Sequence, residues 1–290
     1  MIRLNNEPMK LHTTFRTGGP ADCFIKLENA EELKGIIEEL KNKNEKYYII
    51  GNGSNLLVSD DGIRGTVIQL GDDFSDIKVE GDTIYACSGI LLSLLSKTAR
   101  DNCLTGLEFA SGIPGTLGGA VVMNAGAYGG EMKNVIVSVD AFVDGEIVTI
   151  PAEEMDFSYR HSICMEKEMI IIGALMRLSK GNKDEISAEM EELSRKRREK
   201  QPIEYPSAGS TFKRPEGYFA GKLIMDSGLA GYSIGGAEVS EKHCGFIINK
   251  GGATSDDVFR LIKYVQSEVE SKFGVVMEPE VRFMGKFEEK

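Results

Sequence analysis

Three short stretches carry residue types that could do chemistry. Residues 106–130, GLEFASGIPGTLGGAVVMNAGAYGG, hold eight glycines in twenty-five positions, against about two at average usage. Ile113, Leu117, Val121, Val122 and Met123 are interleaved with them, so the stretch is not a flexible linker. Glycines there let a main chain approach a partner closely. Pro114 suits the first position of a short helix over TLGGAVVMN. A helix start among glycines offers free N–H groups to an anion. The same pattern also serves tight packing of a helix on a sheet. The second stretch, FSYRHS at 157–162, traps Tyr159 and Arg160 between strand-like segments and suggests a cleft edge. His161 reads there as a polar neighbour rather than a base. The third, SAGSTFKR at 207–214, sets Ser210 after small residues and follows it with Lys213 and Arg214, which suit an anionic ligand. No Gly-x-Ser-x-Gly elbow and no placed His/Asp pair supports a nucleophilic serine. By spacing alone Ser210 is a loop or cap residue.

The surrounding elements must position these residues. Residues 46–50 read as a buried strand that runs into GNGSNL at 51–56. A strand followed by Gly-x-Gly invites a dinucleotide-binding reading. That reading fails, because Leu56 stands where the third glycine belongs and the residues beyond are turn-rich. The loop could still cradle phosphates with its N–H groups, on a different scaffold. Before it, 23–27 form a strand, and Leu33, Ile36, Ile37 and Leu40 mark a helix. Residues 65–70 form the next strand, and 77–79 with 83–86 a hairpin. A helix follows with Leu91, Leu92, Leu94, Leu95 and Ala99 on its apolar side. Asp144-Gly145 joins strands over 135–143 and 146–150, and 169–178 completes a largely antiparallel unit. A charged helix over 183–200 turns Ile186, Met190 and Leu193 inward and ends RKRREK. That run is either a solvated face or a local attraction for a diphosphate.

Pro202 and Pro206 bracket a boundary. Beyond it come a helix over 219–228, a loop over 231–236 and a strand over 245–249. A helix capped by Thr254 and Asp257 follows, with Val258, Leu261, Ile262, Val265 and Val269 inward, and stops at Gly274. In the last segment Glu280 and Arg282 alternate with Val281 and Phe283, as in an edge strand with one polar face. The fold class is α+β.

Composition narrows the function. The 290 residues carry a net charge of −11, against the basic surface that nucleic-acid binding needs. No apolar run is long enough to span a membrane, and the first residues lack an apolar signal region. Five scattered cysteines lack metal-type spacing. Reduced thiols in a cytoplasm and no metal are expected.

Six blocks, in order TFRTGGPA (14–21), GNGSNLL, SGIPGTLGGAVVMNAGAYGGE, SYR (158–160), AGSTFKRP (208–215) and EPEVR (278–282), resemble the UDP-N-acetylenolpyruvoylglucosamine reductase (UDP-N-acetylmuramate dehydrogenase) family. The resemblance runs from residue 14 to 284. It implies an FAD-binding domain of the vanillyl-alcohol-oxidase (PCMH) type over 1–200, in subdomains of about 1–70 and 71–200. It also implies a smaller α+β substrate-binding domain over 201–277 and a segment, 278–290, returning a strand to the active site.

The implied activity is reduction of a UDP-linked enolpyruvyl sugar by non-covalently held FAD, with NADPH as co-substrate. This is a step of bacterial peptidoglycan precursor synthesis, and so of cell shape and division. The resemblance assigns Arg160, Ser210 and Glu280 as catalytic, with Ser210 as proton donor. It assigns Gly51, Asn52, Gly53, Ser54, Asn55 and Leu56 to the cofactor. To the same cofactor it assigns Gly112, Ile113, Pro114, Gly115, Gly118, Gly119, Asn124, Ala125 and Gly126. Tyr159, Lys200 and Arg214 fall to the substrate. Some relatives carry Asn where this chain has Arg214. The connection after Arg160 is of the short type, without the inserted tyrosine loop, so another segment, around Tyr218 or Tyr232, is expected to close the site. The implied partners are the two small molecules, with no nucleic acid and no membrane, for a monomer. Two rivals are a flavin oxidase on the same scaffold and a non-catalytic nucleotide-sugar binder. His12, His161 and His243 lie outside the flavin motifs, against a tethered flavin.

Overall fold

The computed structural model describes residues 1–71 and 74–288; positions 289 and 290 of the expected 278–290 segment lie outside the described residues. The chain divides into two compact units, neither of them continuous in sequence. The first comprises 1–3, 25–52 and 67–196, and the second 4–24, 53–66 and 197–290. The units cut across the expected segment limits, since 4–24 and 53–66 group with the last third of the chain.

The first unit is built on a five-stranded antiparallel sheet. Its strands run Glu146–Pro151, Ile136–Val143, Ile170–Arg177, Thr83–Cys87 and Ile77–Glu80 in spatial order. The hairpin expected at Asp144-Gly145 is present, with Val143 paired to Glu146. Both turn residues have positive φ, +49° and +93°, the conformation a two-residue hairpin turn requires. A core of aliphatic side chains from the sheet, the Leu92–Asp101 helix and the Leu117–Val122 helix fills this unit. Strands Ile2–Pro8, Pro20–Leu27, Ile63–Leu70 and Tyr47–Ile50 form a four-stranded sheet in that order.

The second unit has its own core, formed by Phe15, Leu57, Phe212 and the inner face of the Ser255–Phe273 helix with the strands beside it. Strands Ser233–Ile234, Ala237–Val239 and Ile247–Asn249 make a small antiparallel sheet. The long helix starts as expected. Thr254 caps the Asp257 N–H, Asp257 returns a bond to the Thr254 N–H, and Gly274 ends the helix at φ +67°. Strand Arg282–Met284 pairs in parallel with Leu56–Val58.

Several expectations need correction. Pro114 is not the first helical residue, because the helix begins at Leu117 with Thr116 as its cap. Leu91 and Leu94 are 46% and 49% exposed. The helix starts at Leu92 with Leu91 as its cap, and its buried positions are Leu92, Leu95, Ser96 and Ala99. Of Ile186, Met190 and Leu193, only Ile186 is fully buried. In Tyr47–Ile50 only Ile50 is buried. The loop over 231–236 contains the strand Ser233–Ile234. The polar–apolar alternation near the end fails at Phe283, which is exposed although its ring meets Phe259 and Phe287.

Candidate active site

In the second unit the fold brings two of the three expected catalytic residues together. Residues 211–213 run beside 278–280. The Glu280 N–H donates to the Thr211 carbonyl at 2.8 Å, and the Lys213 N–H donates to the Glu278 carbonyl at 2.8 Å. Phe212 and Pro279 form a bridge between these bonds. The other side of Thr211 is tied down as well. Its N–H donates to the Gly245 carbonyl at 2.8 Å, and its hydroxyl accepts from the Ile247 N–H at 3.0 Å. Thr211 thus fixes Ser210 and Glu280 relative to one frame, a role that no sequence signal announced.

Ser210 follows Gly209, whose φ is +76°. Its hydroxyl lies over Gly245, so that a Cβ built at Gly245 would sit 3.4 Å from Ser210 Oγ and 2.9 Å from His243 Cε1. His243 Nδ1 accepts the Gly245 N–H at 3.1 Å. Burial pushes the His243 imidazole below its ordinary pKa, partly offset by a backbone hydrogen bond. The neutral ring that burial favours is also the one that can accept at Nδ1. Lys213 is ion-paired with Glu278. Arg214 lies over the Phe219 ring at 4.0 Å and donates from Nε to the Tyr218 carbonyl at 3.2 Å. Tyr218 is exposed, while Tyr232 is stacked on Tyr264 with ring centres 4.6 Å apart.

The expected cofactor loop also carries structural bonds. In the second unit the Asn55 amide donates to the Glu280 carbonyl at 3.1 Å, and the Asn55 carbonyl accepts the Arg282 N–H at 2.9 Å. The resemblance assigns Asn55 to the cofactor, and here its side chain holds the segment that carries Glu280. The TFRTGGPA segment is likewise built into this unit. The Thr14 hydroxyl donates to the Ser207 carbonyl and the Asn249 amide to the Phe15 carbonyl, while Arg16 is exposed.

Arg160, the third expected catalytic residue, belongs to the first unit. Ser158 and His161 exchange two main-chain bonds of 3.2 Å, closing a two-residue turn whose tip is Tyr159-Arg160. Arg160 has φ +55°, which costs a non-glycine residue about 1 kcal/mol. Its guanidinium donates to the Gly126 carbonyl at 3.0 Å and lies 5.0 Å from the Tyr159 ring centre. His161 Nε2 lies 3.3 Å from an Asp156 oxygen and 3.5 Å from a Glu166 oxygen. Those three residues bring ligand-type atoms within 4.8 Å of one another on an exposed turn.

The glycine-rich stretch of the first unit is partly engaged by its own unit. At the start of the Leu117–Val122 helix two N–H groups are already engaged within the protein. The Leu117 N–H donates to the Ile90 carbonyl at 2.9 Å, and the Gly118 N–H to the Ser88 carbonyl at 2.8 Å. Close packing explains the glycines at Gly51 and Gly118, where added Cβ atoms would come within 2.4 Å of Thr116 Oγ1 and 2.9 Å of Ser88 Cβ. Asn52 donates to the Pro114 carbonyl at 2.9 Å, which ties two of the expected cofactor segments together. The Asn124 side chain, also assigned to the cofactor, is fully buried and engaged by protein groups. The Ser88 hydroxyl, by contrast, is buried with no hydrogen-bond partner. A buried hydroxyl without a partner is uncommon and fits a polar group brought by a bound cofactor. Lys200 is exposed at the end of the Lys183–Lys200 helix, where Arg195 and Lys196 are ion-paired with Glu192. All five cysteines are unpaired, and among the described residues no helix is long and apolar enough to cross a membrane.

Comparison with known proteins identifies the two matched domains and the family. Residues 21–151 match the FAD binding domain family, and residues 201–284 match the C-terminal domain of UDP-N-acetylenolpyruvoylglucosamine reductase. The UDP-N-acetylenolpyruvoylglucosamine reductase of Caldanaerobacter subterraneus is 54% identical over 97% of this chain and 93% of its own. That of Clostridioides difficile is 50% identical over 97% and 92%. The crystal structure of the Thermus caldophilus enzyme superimposes with a TM-score of 0.84 at 36% identity, covering 98% of both chains. With similarity spanning nearly its whole length and the FAD-binding and C-terminal domains both matched, the chain belongs to the UDP-N-acetylenolpyruvoylglucosamine reductase family.

Proposed function

We infer that this chain reduces the enolpyruvyl ether of UDP-N-acetylglucosamine to the UDP-N-acetylmuramate product in peptidoglycan precursor synthesis. When bound, FAD would supply hydride chemistry toward C3 of the enolpyruvyl group, with NADPH as the reductant that would replenish it. The protein supplies the rest. As C3 gains hydride, negative charge develops at C2 and spreads onto the carboxylate. The fixed guanidinium of Arg160 stabilises that charge, and Glu280 orients the aci-carboxylate. Ser210 gives its hydroxyl proton to C2. A serine hydroxyl is a weak acid, but the carbanion-like C2 is a strong base.

The observation that carries this reading is the bond from the Glu280 N–H to Thr211, which holds the proposed proton donor and the proposed carboxylate partner on one rigid frame. Lys200, Tyr159 and Arg214 are proposed to hold the substrate. The two glycine loops, at 51–56 and 112–126, are proposed to hold the flavin through main-chain groups, with the Ser88 hydroxyl contributing. The functional limits proposed are 1–200 for flavin binding, 201–277 for the substrate and 278–290 for the returning strand. The enzyme is proposed to act as a cytoplasmic monomer.

An anaerobic absorbance series tests the reading. Purified protein should show a flavin band that NADPH bleaches and the enolpyruvyl sugar restores. A band that recovers only with oxygen would favour an oxidase. A protein that stays colourless after incubation with FAD would overturn the reading.

A further inference from the structure

Asn124 is fully buried, with φ +40°. Its Nδ2 donates to Glu131 Oε2 at 3.0 Å and to the Ser158 carbonyl at 2.8 Å, and its Oδ1 accepts the Lys133 N–H at 3.0 Å. Both amide hydrogens are therefore engaged. Two acceptors on one side and a donor on the other also fix which way the amide points. Ser158 is the base of the turn that presents Tyr159 and Arg160. The other arm is pinned from the same place, because the Ser162 hydroxyl donates to the Val122 carbonyl at 2.7 Å. Val122 and Asn124 flank the end of the Leu117–Val122 helix.

We propose that Asn124 is a positioning residue for Arg160, holding the arm of the turn from which the guanidinium projects. The proposal rests on the role given to Arg160 above. Arg160 keeps a left-handed backbone that a non-glycine residue adopts only where its surroundings impose it. The Ser158 anchor is one such constraint, and the Arg160 bond to the Gly126 carbonyl is a second. Glu131 belongs to the same cluster. Burial pushes its carboxyl up, but hydrogen bonds from Lys133 and Asn124 and the charges of Lys133 and Arg160 hold it below its ordinary value. Its carboxylate is thus an acceptor that keeps the Asn124 amide turned toward Ser158.

The test compares Asn124→Ala, Asn124→Asp, Ser162→Ala, Arg160→Ala and the Asn124→Ala/Arg160→Ala double variant as flavin-loaded enzymes. Stopped flow separates flavin reduction by NADPH from reoxidation by the enolpyruvyl sugar, and hydrogen exchange follows the Ser158 and His161 amides. In the Asn124 variants, whatever flavin remains bound should show reoxidation by the enolpyruvyl sugar slowed by up to about 100-fold more than its reduction by NADPH. Ser162→Ala should show the same selective defect in smaller degree. The double variant should reoxidise no more slowly than Arg160→Ala, as expected of residues acting as one unit. Amide exchange at Ser158 and His161 should quicken in Asn124→Ala. Additive slowing in the double variant, or equal slowing of both half-reactions in the flavin that remains bound, would overturn the proposal. If Arg160→Ala reoxidises normally, the catalytic reading of Arg160 fails. Unchanged exchange in Asn124→Ala then rejects the anchoring under either reading.

Discussion

The Glu280 N–H donates to the carbonyl of Thr211, at 2.8 Å, across 69 positions of sequence. Ser210, next to Thr211, cannot move without disturbing the segment that carries Glu280. A proton donor and a carboxylate that must act on one small group gain from such coupling, because misplacement by about 1 Å can cost about 100-fold in rate.

Replacing Ser210 by Ala should leave flavin reduction by NADPH at its normal rate and slow reoxidation by the enolpyruvyl sugar by about 10²–10⁴-fold. Thr211 makes its bonds through its own main chain and hydroxyl, so the frame survives the change. Stopped-flow traces that slow equally in both half-reactions would reject Ser210 as the proton donor.

Stability should fall with acid in a window set by His243. Burial holds this imidazole below its ordinary value of 6.5. The unfolded chain therefore binds a proton that the folded one resists. The contribution is fully present above about pH 6.5 and is lost as pH falls below it, until the folded group also titrates. Protonation also removes the acceptor for the Gly245 N–H, beside Ser210. Urea titrations between pH 8 and pH 5 should show this loss, and a His243→Gln variant should show a flatter profile.

Two glycines should respond to alanine with opposite signs. Gly53 has φ +61°, and an added Cβ would lie 1.9 Å from the His12 carbonyl oxygen. Neither main chain can yield, so Gly53→Ala should lose flavin binding or fail to fold. Gly35 lies exposed in the Ala30–Asn42 helix with nothing within 4 Å of an added Cβ. Gly35→Ala should stabilise by about 0.5–1 kcal/mol. Thermal melts of the two variants, with flavin fluorescence, check both.

The features legible in the sequence were those whose causes are local. The Asp144-Gly145 turn and the Thr254 cap each follow from a few adjacent residues, and both stand as expected. The apolar side of the Leu92–Asp101 helix was overread, because Leu91 and Leu94 look like core residues until the first helical residue is known. The three-residue strands Leu56–Val58 and Arg282–Met284 have too little pattern to be seen alone. At the site, family motifs marked Ser210, Glu280 and Arg160, but not what holds them. Thr211 and Gly245 act through main-chain bonds to residues far along the chain. The glycines of 112–119 suggest an anion cradle, whereas Gly118 at least serves close packing against Ser88.

The parallel pair of Leu56–Val58 with Arg282–Met284 sets a schedule for the chain as it leaves the ribosome. The first strand is made long before its partner, which follows some 226 residues later. At about 5–20 residues per second, that edge waits roughly 10–45 s with its hydrogen-bonding groups exposed to other nascent chains. The second unit cannot close until Arg282–Met284 has been made, so a ribosome stalled before that strand would leave this edge, rather than the already completed five-stranded sheet, as the surface a chaperone must guard.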